Sequence, residues 1–220
     1  MTLQVHVEVE EQIDTYEPAN NGAGPLWCHG CTVITRHQDG VFAVGLETLP
    51  NEVPLNNPRW VLYHRHDDGD WKAIHRNVGR TREPSPIALL GTDLLVSANP
   101  TLAATGEYGG NAEAVVFRFD VTDLEQEPTS RQPDWVGDPP FRDHSYRTFI
   151  GDAATGQALY MQNEGYDVAH LSFLDGGQWH GRGVIRWPFG DGYAKPQPLR
   201  LCYPNVQLRD GVAHFLGVGD

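Results

Sequence analysis

The apolar positions of this chain fall in short runs separated by turn-forming residues. "VFAVG", "LLVSA", "QALYM" and "VAHFL" are alternating or continuously apolar, the pattern of half-buried and fully buried strands. Each follows another short strand and a tight turn. The turns are predicted at Asp39-Gly40, at Thr92-Asp93, in small residues near Ala154–Gly156, and at Asp210-Gly211. Asp-Gly suits a hairpin because both central residues tolerate positive φ. A longer loop and a second hairpin come next. The rhythm covers 31–49 with 59–76, then 84–102 with 112–130, then 146–165 with 167–187. A fourth unit begins at 203 and stops after its second strand. No amphipathic helix is predicted, and "TDLEQEP" offers one turn at most.

Two stretches echo each other. "HDDGDW" (His66–Trp71) and "LDGGQW" (Leu174–Trp179) both carry Asp-x-Gly-x-Trp after an apolar run, in the second hairpin of the first and third units. Units of about 55–60 residues with four antiparallel strands are similar to the blades of a β-propeller. The repeated motif resembles the Asp-box, Ser-x-Asp-x-Gly-x-x-Trp, of sialidase-like propellers. Here Trp follows Gly by two positions, and Arg65 and Phe173 stand where the Ser would be. In that family the box is a structural staple, with Asp and Gly making the turn and Trp packing the blade edge.

The resemblance implies an all-β chain, a β-propeller with three full four-stranded blades and a partial one. Sialidase-like propellers usually have about six blades, which needs about a hundred more residues. The expectation is therefore a single propeller domain over 1–220, truncated at its C-terminus from a six-bladed parent. The alternative is a complete four-bladed ring, closed by an N-terminal strand "LQVHVEVEE". An unclosed ring exposes sheet edges and invites self-association.

Composition narrows the partners. The formal net charge of −13 opposes nucleic-acid phosphates and anionic membrane surfaces. Cys28, Cys31 and Cys202 make no disulfide framework. Cys28-His29-Gly30-Cys31 lacks the second pair that a zinc site needs, so two reduced cysteines are expected, with no metal and no cofactor. The N-terminus has no signal-peptide pattern and no apolar run suits a membrane helix. A cytoplasmic location is the expectation.

Candidate chemistry concentrates in the loops that enter each unit's first strand and leave its second, because these line the mouth of a propeller. They hold Trp27, His29, Glu47, Arg82, Glu83, Asn99, His144, Tyr146, Arg147, Asn163, Glu164, Tyr203 and Asn205. Arg can grip a carboxylate, Asn and Glu bind hydroxyls, and aromatics stack on sugar faces. A carbohydrate is the expected partner. Glycoside hydrolysis needs two carboxyl groups, for which Glu47, Glu83 and Glu164 are the candidates. A sialidase would use a Tyr nucleophile and an arginine triad, and "REP" at Arg82–Pro84 only loosely echoes its Arg-Ile-Pro. Elimination from a uronate needs a cation, a base and an acid, and "HSYR" at His144–Arg147 offers all three. His144 and Tyr146 would move protons while Arg82 and Arg147, with Trp27, His29, Asn99, Asn163, Tyr203 and Asn205, hold substrate. The competing reading is a non-catalytic module that binds glycan or protein at the same mouth. Trp60, Trp71, Trp179 and Trp187 are predicted to pack blades, and His64, His66 and His75 to face solvent.

Overall fold

The computed structural model describes residues 4, 6–7, 9–27, 31–38, 40–66, 69–187, 190–197 and 199–219. Among them the chain forms fourteen strands and no helix. The first sheet contains β1 (Ile34–His37), β2 (Gly40–Thr48), β3 (Pro58–His66) and β4 (Lys72–Arg76). The second holds β5 (Ile87–Leu90), β6 (Asp93–Ala98), β7 (Val115–Asp120) and β8 (Thr129–Arg131). The third holds β9 (Arg147–Asp152), β10 (Gln157–Glu164), β11 (Val168–Asp175) and β12 (Gln178–Arg186). The fourth is the pair β13 (Leu201–Arg209) and β14 (Val212–Gly219). Every sheet is an antiparallel meander in chain order.

The first strands lie side by side in chain order, β1 by β5, β5 by β9 and β9 by β13. Each interface between sheets is a separate apolar core. Phe42, Leu46, Trp60 and Leu62 meet Ile87, Leu94, Val96 and Phe119. Ala88, Leu95 and Val116 meet Phe149, Tyr160 and Trp179. Leu159, Met161 and Ala169 meet Val206 and Leu208. This explains the continuous apolar run on β6: Leu94 and Val96 serve one core, Leu95 the next. A strand buried on both faces loses strict alternation.

Turn chemistry sets the registers. Arg209 pairs with Val212, so Asp210 (φ 50°) and Gly211 (φ 73°) are the two central residues, as their sequence predicts. In the second unit Leu90 pairs with Asp93. The centre is therefore Gly91-Thr92, one residue earlier than expected, because Gly91 supplies the positive φ of 61°. In the first unit His37 pairs with Gly40, so Gly40 already belongs to β2; Asp39 lies outside the described residues. The third loop spans the residues between Asp152 and Gln157, including Ala154–Gly156.

The two Asp-x-Gly-x-Trp copies differ. In the second, Gly176 (φ 55°) and Gly177 (φ 77°) make the turn, and Trp179 is buried in the core between the second and third sheets. In the first, Trp71 is half-buried, with Arg65 5.8 Å from its ring centroid. Its indole N–H donates to Glu11 (3.1 Å).

The expected N-terminal strand does not form at the described positions before Ile34. The segment crosses the first sheet as a strap held by side chains. Arg65 pairs with Glu11 at 2.9 Å, Tyr63 donates to Asp14, and Asn57 donates to the Ala19 carbonyl (2.8 Å). Glu11 and Asp14 are drawn to Arg65 and Tyr63 rather than to a strand ladder. No helix among the described residues is long and apolar enough to cross a membrane.

Candidate functional site

The entrance ends of β1, β5 and β9 gather at one end of the sheets. The Ile87 amide donates to the Thr32 carbonyl (2.8 Å), and the Cys31 thiol donates to the Arg147 carbonyl (3.2 Å). Burial pushes the Cys31 thiol up from its usual range, which keeps it a protonated donor. Cys31 and Cys202 are free thiols.

The approach to β9 carries the densest chemistry. Asp143 is buried and acts as a buckle. Its carboxylate accepts from Asn56 Nδ2 (2.8 Å), the Gly110 amide (2.9 Å) and the His144 amide (2.7 Å). A side chain on Gly109 would meet Asp143 Oδ2 at 2.7 Å, so the loop closes tightly there. Ser145 donates to the Asn163 carbonyl, and the Asn163 amide donates to the Tyr146 carbonyl (2.9 Å). These bonds fix the backbone from which His144, Tyr146 and Arg147 project.

His144 and Tyr146 share a face, as alternation requires, with ring centroids 5.2 Å apart. Arg147 follows as the first residue of β9. It is 1% exposed, its guanidinium lies 3.7 Å from the Glu83 carboxylate, and it donates to the Pro84 carbonyl. Glu83 is fully buried, and its Oε1 lies 2.6 Å from His144 Nδ1. Nδ1 is therefore the His144 nitrogen that faces Glu83, and Nε2 is the one left for other partners. Arg147, Glu83 and His144 thus form a line from the interior to the surface.

An aromatic cluster surrounds this line. Tyr203 lies 4.9 Å from Tyr146 and 6.0 Å from Trp27, both edge-on. Tyr166 lies 5.9 Å from Tyr146 and 6.2 Å from His144. The Arg200 guanidinium sits 4.0 Å from the Tyr166 ring centroid, within cation–π range. Burial, and then the neighbouring Cys202 and Tyr203, push the Tyr146 phenol far above its usual value. Tyr203 has φ 53°, and the β13–β14 register shifts between Cys202 and Asn205. Such irregularity re-aims side chains and clusters at functional positions.

Of the residues singled out by sequence, Trp27, Glu83, His144, Tyr146, Arg147 and Tyr203 come together. Arg82 borders them, with Nη2 donating to the Asn21 carbonyl (3.3 Å), and Asn205 is half-buried on β13. Asn99 ties sheets together, donating to the Arg142 carbonyl (2.8 Å) and accepting from Gln162 (2.9 Å). Asn163 is a buried framework residue. Glu47 pairs with Arg59 (2.6 Å) and Arg76 (3.5 Å), and Glu164 with His170 (2.8 Å). His29 lies outside the described residues. Two of the three histidines expected to face solvent are half-buried instead. His64 stacks on Phe42 at 4.5 Å and His75 on Trp60 at 5.0 Å, because each meets an aromatic neighbour across the sheet; His66 is exposed.

Sequence reasoning missed Tyr166 and Arg200. Tyr166 lies two residues after Glu164, which the sequence analysis places at the mouth, and its aromatic type was the available signal. Arg200 precedes β13 and carried none. A cleft of about 430 Å³, lined in part by Leu95, Val116 and Trp179, opens at the opposite end of the strands. Compared with protein-family models and with curated proteins, the chain matches none.

Proposed function

We propose that the four sheets are blades of a propeller and that their shared entrance end is a carbohydrate-active mouth cleaving an acidic polysaccharide by β-elimination. The meander order and the side-by-side first strands support the propeller reading. The observation that carries the chemistry is the His144–Glu83 contact at 2.6 Å, with Glu83 fully buried and Tyr146 beside it. Glu83 orients His144, as a general base requires.

Elimination assigns each group a step. His144 Nε2 takes the proton on the carbon next to the uronate carboxylate. The electron pair left there forms a carbon–carbon double bond as the glycosidic C–O bond breaks. The departing oxygen takes a proton from Tyr146, whose raised pKa keeps it protonated. Arg200, held on Tyr166, brings positive charge to the carboxylate. Trp27 and Tyr203 offer faces to the sugar rings. Hydrolysis is less well served, because it needs two available carboxyl groups. Glu47 and Glu164 are engaged with Arg59 and His170, and Glu83 lies beneath His144.

The test is turnover on a panel of uronate and neutral polysaccharides, read by the ultraviolet absorbance of the unsaturated uronide. Wild type is expected to act on at least one uronate polymer. His144→Ala is expected to lose activity at least about 100-fold while still binding. Retained turnover in His144→Ala would sink the assignment. Binding without turnover in wild type would favour the non-catalytic module, a reading supported by Tyr146 being only 8% exposed.

A further inference from the structure

The cleft between the second and third sheets, at the hairpin-turn end and away from the mouth, has a volume of about 430 Å³. That lies within the range of small-molecule sites. The registers set its walls. Leu95, Arg118 and Thr129 are cross-strand neighbours in one row of the second sheet. Val116 and Arg131 pair two residues along and so share that face, because side chains alternate. It is the face that packs on the third sheet, where Leu95 and Val116 meet Phe149, Tyr160 and Trp179.

Nearer the mouth, Phe149 and Tyr160 fill the space between the two sheets. Toward the turns, Gly156 and Gly177 line it instead, and a Cβ on either would have nothing within 4 Å. The space therefore stays open there. Leu95, Val116 and Trp179, all buried, give it an apolar floor. Its polar rim is cationic. Asp93 is the one acidic residue on its walls, and it is engaged with Arg118 at 2.7 Å. Arg131 is exposed on the edge strand β8, and its side chain has no ion pair or hydrogen bond among the described residues. Asp134 shares an adjoining hollow with Arg131 without pairing with it.

We propose that this cleft binds a carboxylate with an apolar body of medium length. The carboxylate pairs with the Arg131 guanidinium, a charge-assisted contact that can be bidentate. The body lies across the second sheet from β8 toward Leu90 on β5, over Leu95, Val116 and Trp179. Three strand spacings of about 4.8 Å span about 14 Å, room for a chain of about eight carbons. A neutral body of the same size would bury the same apolar surface but leave the guanidinium unpaired. The charge therefore selects the ligand. The net charge of −13 repels carboxylates from the surface at large, which confines binding to this cleft.

The experiment is isothermal titration of the full chain with octanoate, below its micelle-forming concentration, and with 1-octanol. One saturable site is expected for octanoate, with 1-octanol at least about fivefold weaker. Arg131→Gln removes the charge. Thr129→Trp, at an exposed position of β8, fills the opening. Each is expected to weaken octanoate at least about fivefold. Absence of saturable octanoate binding overturns the proposal, and so does a smaller effect in any of these three comparisons. Arg209→Gln removes an exposed arginine outside the cleft and is expected to weaken octanoate less than Arg131→Gln does. An equal loss there would reduce binding to net charge and overturn the site. A thermal melt of each variant shows that it is folded.

Discussion

Replacing Glu83 with alanine removes the carboxylate that faces Arg147 in the interior. Both side chains are fully buried, with 3.7 Å between the guanidinium and the carboxylate. The arginine cannot reach water without moving β9 or the Pro84 loop, to whose carbonyls it donates. Breaking one member of a buried pair typically costs about 3–5 kcal/mol. For a domain of this size about 1 kcal/mol moves Tm by about 2–4 °C, so Glu83→Ala should lower Tm by about 6–20 °C. Glu83→Gln keeps the volume and a hydrogen-bond partner for His144 Nδ1, and should cost about 1.5–3 kcal/mol. The apolar double variant Glu83→Leu/Arg147→Met should be more stable than Glu83→Ala, since removing both charges leaves none stranded. Thermal and urea unfolding followed by circular dichroism at one pH measures all four chains. A Glu83→Ala cost below about 1 kcal/mol, or a double variant no more stable than Glu83→Ala, would refute the claim that the two are coupled in the interior.

Tyr63→Phe should release the N-terminal strap from Asp14 at a cost of about 1 kcal/mol, and limited proteolysis should then cut faster within 10–17. Burial holds His75 below the usual value near 6.5. The unfolded chain then binds the proton more tightly. His75 should favour folding fully above about pH 6.5 and progressively less as pH falls through its lowered folded pKa. A flatter stability profile below pH 6.5 in His75→Gln checks this, and an unchanged slope counts against it. Gly181→Val should cost about 1–3 kcal/mol, because a Cβ there would meet the Trp135 carbonyl carbon at 2.6 Å. Full stability in that variant would mean that the 135–136 segment yields easily.

Strand positions were legible because alternation and turn residues are local properties. Asp210-Gly211 and the Trp179 hairpin fall where their sequence puts them. The Gly91-Thr92 turn was displaced because a glycine one residue earlier satisfies positive φ better than Thr92-Asp93. The N-terminal segment reads as a strand by alternation. Its acidic side chains instead find Arg65 and Tyr63 on the first sheet, and no local pattern reveals that. The site was legible by loop but not by side chain. The packing of the second sheet on the third buries Arg147 behind Glu83, and alternation does not reveal that. Tyr166 and Arg200 meet because the third and fourth sheets are neighbours, an outcome of core complementarity rather than of spacing. Glu47 and Glu164 looked available because their partners, Arg59 and His170, lie across strand pairings that depend on register.

The central claim is that the mouth cuts an acidic polysaccharide through His144 by elimination. Mass spectrometry of the fragments released from the uronate polymers tests it most directly. Elimination leaves a new non-reducing end lighter by one water than hydrolysis would leave. Unsaturated fragments from wild type and none from His144→Ala are the predicted result. Saturated fragments, or unsaturated fragments that persist in His144→Ala, would contradict the account.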